Sequence, residues 1–335
     1  MKRELFKKIS LLLFVCIVCL LLLEIFFRIL YGLPISEMGY NPNEDYDTQT
    51  KEYLDDVKTF FRSSENPILL YELVPHSTRV FSGVKMSINA YGMRDKAYSL
   101  QKPNDTFRIA VLGDSITQGN AIRYNETYAT RLEEMLNADE NIGYDVEVLN
   151  FGVIGYSFSQ YIELYRTKVK QFEPDLVLVG QCVNDLEYYG SREMTVFRNA
   201  TKSIFEKLYV LTYLRYVLFP PQYEQKLNHD TRYRQLKKEV GTVPVGIAVI
   251  PYLNRDSNSI SQRIREHSLQ AAKVNGFDSI DLFKVFSRTN YTGEEVSNKR
   301  VDGSVDYLHP NRIGHRLIAD ALYAYITSSF NRTIS

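Results

Sequence analysis

The chain has 335 residues, 44% of them hydrophobic and 24% charged, which is enough apolar material for a large core and excludes a disordered tail or a disulfide-stapled miniprotein. Lys and Arg number 40, as do Asp and Glu, and without a basic excess nucleic acid is not expected as a partner. The neutral total hides a bias: residues 1–30 carry Lys2, Arg3, Lys7, Lys8 and Arg28 against Glu4 and Glu24, net +3, leaving 35 basic and 38 acidic residues, net −3, in the rest.

The first element in chain order is apolar. From Ile9 to Leu23 only Ser10 is polar, and Ile25, Phe26 and Phe27 continue the run past Glu24. About 19 residues of helix cover roughly 28 Å, close to the hydrocarbon thickness of a bilayer, so residues 9–28 are expected to be a transmembrane helix. No small-x-small cleavage site follows Leu23, and neither Cys16 nor Cys19 has the small flanking residues of a lipid-attachment site, so an uncleaved signal-anchor is the expectation. The basic cluster precedes the span, which places residues 1–8 in the cytoplasm and the remainder outside it, periplasmic or extracellular, on a single-pass plasma-membrane protein. The exported part holds only Cys182 and forms no internal disulfide. Five Asn-x-Ser/Thr sequons (Asn104, Asn125, Asn199, Asn290, Asn331) are close to the number chance supplies and decide nothing.

Residues 29–105 are polar and punctuated by prolines, and read as a juxtamembrane stalk with short strands around Arg79 to Ile88. The texture then changes. Short apolar runs at Arg108 to Leu112, Val146 to Asn150, Leu176 to Val179, Val245 to Ile250 and Ser279 to Leu282 are separated by helical patterns at about 126–138, 158–171, 260–275 and 312–328. Near-continuous Val, Ile and Leu runs between helices mark a parallel sheet covered on both faces. An insertion at about 190–241 interrupts this rhythm. Within it, Leu208, Tyr209, Leu211, Tyr213 and Tyr216 spread around most of a helix, which reads first as an extra helical layer and second as a lid or a membrane-facing surface.

In open α/β sheets ligands sit beyond the carboxyl ends of the strands. The first run ends in Gly113-Asp114-Ser115, the second in a loop containing Gly155, and the third in Gly180-Gln181-Cys182-Val183-Asn184-Asp185; near the C-terminus stands Asp306-Tyr307-Leu308-His309. A serine on a strand-to-helix turn presents its hydroxyl, but it stays a weak nucleophile until a base takes its proton. His309 is the candidate base, with Asp306 to orient it. The Ser115 N–H, the Gly155 N–H and the Asn184 amide supply three donors for an oxyanion. Asp114 and Asp185 are expected to hold their loops through backbone hydrogen bonds, and Cys182 to be a buried small hydrophobe.

These blocks, in this order over about residues 106–330, resemble the SGNH (GDSL-type) hydrolase family. The resemblance places the family nucleophile on Ser115, its glycine on Gly155, its asparagine on Asn184 and its Asp-x-x-His on Asp306 and His309. Its third block usually has glycine two positions before the asparagine, where this chain has Cys182. The stretch Ser87 to Asp95 also resembles the lead-in of exported family members. The implied fold is a flavodoxin-like three-layer α/β sandwich with a five-stranded parallel sheet, here preceded by one transmembrane helix. The implied activity is ester hydrolysis through an acyl-serine, with no cofactor and no metal. An anchored, outward-facing domain suits the removal of O-acetyl groups from extracytoplasmic carbohydrate. The alternatives are a lipase or lysophospholipase at the membrane surface, an O-acyltransferase using the same site, and an inactive glycan-binding or assembly module. His76, His229, His267 and His315 lack metal-ligand spacing.

Overall fold

The structure is a computed structural model and describes residues 2–31, 59–182, 229–254, 259–300 and 302–333. The chain forms two compact units, Met1–Leu54 with Val196–Leu227 and Asp55–Thr195 with Asn228–Ser335. The described part of the first is α1, a helix over Lys2–Tyr31. Neither Gly nor Pro interrupts the sequence before Gly32, so nothing breaks the helix earlier. Phe6, Leu11, Leu12, Phe14, Leu21 and Leu22 are exposed on it. Among the described residues no helix is long and apolar enough to cross a membrane; the side chains of Ile9, Leu13, Cys16, Ile17, Leu20 and Glu24 lie outside the description. The spanning role expected of residues 9–28 is thus not shown by the structure and rests on the sequence. The helix expected near 204–219 and most of the insertion, residues 183–228, lie outside the described residues.

The second unit begins with two antiparallel hairpins, β1 (Phe61–Ser63) with β2 (Tyr71–Leu73) and β3 (Thr78–Phe81) with β4 (Val84–Ser87). Their inward residues pack as an aromatic cluster in which the rings of Phe60 and Phe81 stack at 5.0 Å and Phe61 meets Tyr71 edge-on at 5.3 Å. Residues 59–105, read in the sequence as a stalk with strands, belong to the same compact unit as the main sheet. Arg108 helps to join them. Its guanidinium is fully buried, with Nε 2.6 Å from Glu147 and the other nitrogens donating to the carbonyls of Ser99, Leu100 and Phe172.

The five predicted runs form one parallel sheet: β5 (Thr106–Gly113), β6 (Asp145–Asn150), β7 (Leu176–Gln181), β8 (Val245–Val249) and β9 (Asp278–Asp281), in the order β6-β5-β7-β8-β9. Between them lie α2 (Ser115–Gln118), α3 (Tyr128–Asn137), α4 (Phe158–Thr167), α5 (His229–Val240) and α6 (Ser259–Val274). After β9 come α7 (Leu282–Ser287), α8 (Gly293–Val296), the antiparallel pair β10 (Ser297–Lys299) and β11 (Val305–Pro310), and α9 (Arg312–Thr333).

Successive strand residues point to opposite faces, and here both sets are apolar. Ile109, Val111, Val146, Val148, Leu176 and Leu178 form one core with Leu132 and Leu136 of α3 and Ile318, Leu322 and Ile326 of α9. The alternate residues Ala110, Leu112, Val177, Val179 and Ile247 are equally buried, on the side where α4 and α6 pack on the sheet. Burial of each Leu or Ile contributes roughly 1.5–3 kcal/mol, and this pays for threading polar loops across the top. The connection from β5 leads to one side of the sheet and that from β7 to the other, so a crevice opens between their carboxyl ends. β5 runs directly into Asp114 and Ser115, and β7 into Cys182.

Candidate active site

Ser115 is the first residue of α2, and Asp114 caps that helix by accepting the Ile116 N–H at 2.9 Å on Oδ1. The other carboxylate oxygen of Asp114 lies 3.2 Å from Ser115 Oγ and accepts from Cys182 Sγ at 3.2 Å. Cys182 is buried as expected, and its thiol adds a contact that the sequence reading did not foresee. Asp185 lies outside the described residues.

The Asp306–His309 segment is extended as β11, outside the main sheet, and folds over the crevice. Ser115 Oγ is 2.8 Å from His309 Nε2, and His309 Nδ1 is 2.7 Å from Asp306 Oδ2. Asp306 Oδ1 accepts the Leu308 N–H at 3.2 Å, which fixes the carboxylate. Burial tends to raise the Asp306 carboxyl, but the hydrogen bond and charge of His309, the Leu308 N–H and Arg300 outweigh it and hold the group below the usual carboxylate range. An ionised Asp306 favours the tautomer with hydrogen on Nδ1, which leaves Nε2 free to accept the serine proton. The structure therefore brings Ser115, His309 and Asp306 into one relay.

Gly155 has φ +75°, a conformation that costs most L-residues strain. Its N–H and that of Ser115 donate to no acceptor among the described residues. Asn184, the third expected donor, lies outside the described residues. The loop holding Gly155 is fastened to the serine turn. Phe151 and Val153 donate to Val111 and Gly113 carbonyls at 2.9 and 3.1 Å, Asn150 Nδ2 donates to Thr117 O at 2.7 Å, and Ile154 N–H reaches Gln118 Oε1 at 2.6 Å. Gly152 permits this approach, since a Cβ there would lie 2.2 Å from Gln118 N.

A buried shell beneath the site was not legible as such in the sequence. Arg94 donates to the carbonyls of Gln118, Gly119 and Ile122, closing the end of α2, and burial lowers its pKa to about 10. Asp95 accepts from Asn150 N–H, Tyr124 Oη and Lys96 N–H, yet burial pushes its carboxyl up to about 6. Both lie in the Ser87 to Asp95 stretch, which was the available signal. Tyr128 Oη meets Thr117 Oγ1 at 2.6 Å, and Tyr128 N–H donates to His315 Nδ1 at 3.1 Å.

His315 is fully buried. Burial, then the charges of Arg94, Arg131 and His309, lower its pKa to about 3 from 6.5. Its neutral form therefore contributes stability that is complete above about 6.5 and is lost as pH falls toward about 3. Asp95 acts with the opposite sign: its contribution declines as pH rises from 3.8 to about 6. His315→Asn is expected to reduce the loss of stability between pH 7 and pH 5 by about 2 kcal/mol relative to wild type. Urea denaturation at both pH values measures this, and equal losses in the two proteins would refute it.

Residues 111–317 match the GDSL-like Lipase/Acylhydrolase family. No curated protein matches the sequence. Among solved structures, a lipase/acylhydrolase from Enterococcus faecalis is 19% identical, with 67% of this chain and 96% of that one covered and a TM-score of 0.45. A catalytic mutant of an acetylxylan esterase from Geobacillus stearothermophilus is 16% identical, covering 64% and 92%, at 0.43. A two-domain esterase active on acetylated mannans is 18% identical at 0.44, with 67% of this chain covering 49% of that one.

Proposed function

The chain belongs to the GDSL-like lipase/acylhydrolase family and is a carboxylic ester hydrolase of the SGNH type, and from that premise we propose that it works through an acyl-enzyme on Ser115. The Asp306–His309–Ser115 relay, with links of 2.7 and 2.8 Å, carries the reading. Ser115 Oγ attacks the ester carbonyl as His309 Nε2 takes its proton. The N–H groups of Ser115 and Gly155 and the Asn184 amide hold the oxyanion. The bond to the alcohol oxygen breaks as His309 returns the proton to it, and water repeats the sequence to release the acid.

The acyl group is a short one, and the substrate an O-acetylated carbohydrate outside the cytoplasm. What supports this reading is the sequence, an apolar anchor followed by an outward-facing catalytic unit, which suits small O-acetyl groups on extracytoplasmic carbohydrate. The expected result, on the full chain in detergent micelles, is a kcat/KM for 4-nitrophenyl acetate at least about tenfold above that for 4-nitrophenyl octanoate. A preference for octanoate would sink the acetyl reading, and faster transfer to added alcohol than to water would favour the transferase. The uncleaved apolar run at residues 9–28 and the basic residues before it support a membrane anchor with residues 1–8 in the cytoplasm and the catalytic unit periplasmic or extracellular. Loss of the chain from membranes on washing with alkaline carbonate would overturn that assignment.

A further inference from the structure

We propose that a cleft beside β11 binds the alcohol portion of the ester, and that this portion is a sugar ring; the proposal deepens the esterase reading and rests on it. The oxyanion donors Ser115 and Gly155 follow β5 and β6, on one side of the crevice. The His309 strand is joined to the other side, toward β8 and β9, where Leu253 N–H donates to Tyr307 O at 2.9 Å and the rings of Tyr252 and Tyr307 lie 6.3 Å apart. His309 must protonate the departing alcohol oxygen, so the alcohol lies on the His309 side of the serine.

On that side Pro251–Asn254 after β8, α6, α7 and the start of α8 line a cleft of about 490 Å³, within the range of small-molecule sites. Tyr252 and Tyr291 line it and are 37% and 42% exposed, among the most exposed rings of this unit. The lining is mixed, with Gln262 and Arg265 set among Leu253, Phe283, Phe286 and Val296. Arg265 is held by Asp281 through Nε at 3.0 Å and Nη2 at 2.6 Å, its Nη1 donates to Gln262 Oε1 at 3.2 Å, and its guanidinium covers the Phe283 ring at 5.4 Å. A pyranose ring matches this mixture, with an apolar C–H face for a tyrosine ring and hydroxyls at its edge for the few polar groups, Gln262 and Arg265 among them.

The test uses the full chain in detergent micelles and two esters of the same acid, methyl tetra-O-acetyl-β-D-glucopyranoside and 4-nitrophenyl acetate. The readout is the ratio of kcat/KM for the sugar ester to that for the aryl ester. Tyr252→Ala and Tyr291→Ala are each expected to lower this ratio about tenfold, mainly through KM, as loss of one stacking contact implies. Tyr252→Phe keeps the ring and is expected to keep the ratio. A ratio within about threefold of wild type in both alanine variants overturns the proposal, as does a phenylalanine variant as impaired as the alanine one. Wild type that cleaves the aryl ester but not the sugar ester overturns the cleft assignment and leaves the esterase standing. Cleavage of neither ester overturns both.

Discussion

Ser115→Ala lowers kcat/KM for 4-nitrophenyl acetate by roughly 10⁴- to 10⁶-fold and abolishes labelling by a fluorophosphonate, if Ser115 is the nucleophile. Little else is expected to change. The hydroxyl contacts only His309 and Asp114 among the described residues, while the cap on α2 comes from Asp114 and persists without it. The folded protein should therefore melt within about 2 °C of wild type. Because the relay acts as a unit, adding His309→Ala to Ser115→Ala should cost little more, so the two losses are far from additive. A Ser115→Ala protein with more than about 1% of wild-type activity would show that the chemistry runs through another group.

Arg94→Met should be the most damaging substitution outside the relay. Arg94 is 1% exposed, and its nitrogens serve the carbonyls of Gln118, Gly119 and Ile122, which close the turn that begins at Ser115. Removing it leaves the Gln118 and Ile122 carbonyls without their donor and Gly119 O with only the Ile122 N–H at 3.3 Å, at about 1–3 kcal/mol for each group that water cannot reach, so a total near 3–5 kcal/mol is expected. Arg94→Lys keeps a charge but lacks the planar fork, and should fall between. Urea denaturation measures both, and a loss below about 1 kcal/mol in the methionine variant would refute the role. The methionine variant should also label with fluorophosphonate more slowly even where it is folded, since Arg94 holds the end of the turn that begins at Ser115.

The three central strands, β5, β7 and β8, were legible because they are buried on both faces over most of their length and so carry near-continuous apolar runs; the edge strands β6 and β9 are only partly buried and mix Asp145, Glu147, Asp278 and Ser279 with their apolar residues. The relay was legible for another reason: a hydroxyl at a strand end, an imidazole and a carboxylate three residues before it have few other reasons to occur together. That residues 59–105 join the same compact unit as the sheet was not, because Pro and polar residues in the hairpins resemble a linker when their partners are unseen. Tyr71 shows its purpose only against Tyr156 and Ile154 of the Gly155 loop, and Phe81 only against Phe60 and Phe61.

The sequence by itself determined the parallel sheet, the position of Ser115 at its carboxyl edge, and the pairing of His309 with Asp306, because periodicity and short-range spacing are local properties. Only the tertiary structure decided that Arg94 and Asp95 underpin that edge, that Cys182 shares Asp114 with the serine, and that a tyrosine-lined cleft opens on the histidine side. Those contacts join residues far apart in the chain, and a single sequence records which residues are present without recording which of them meet.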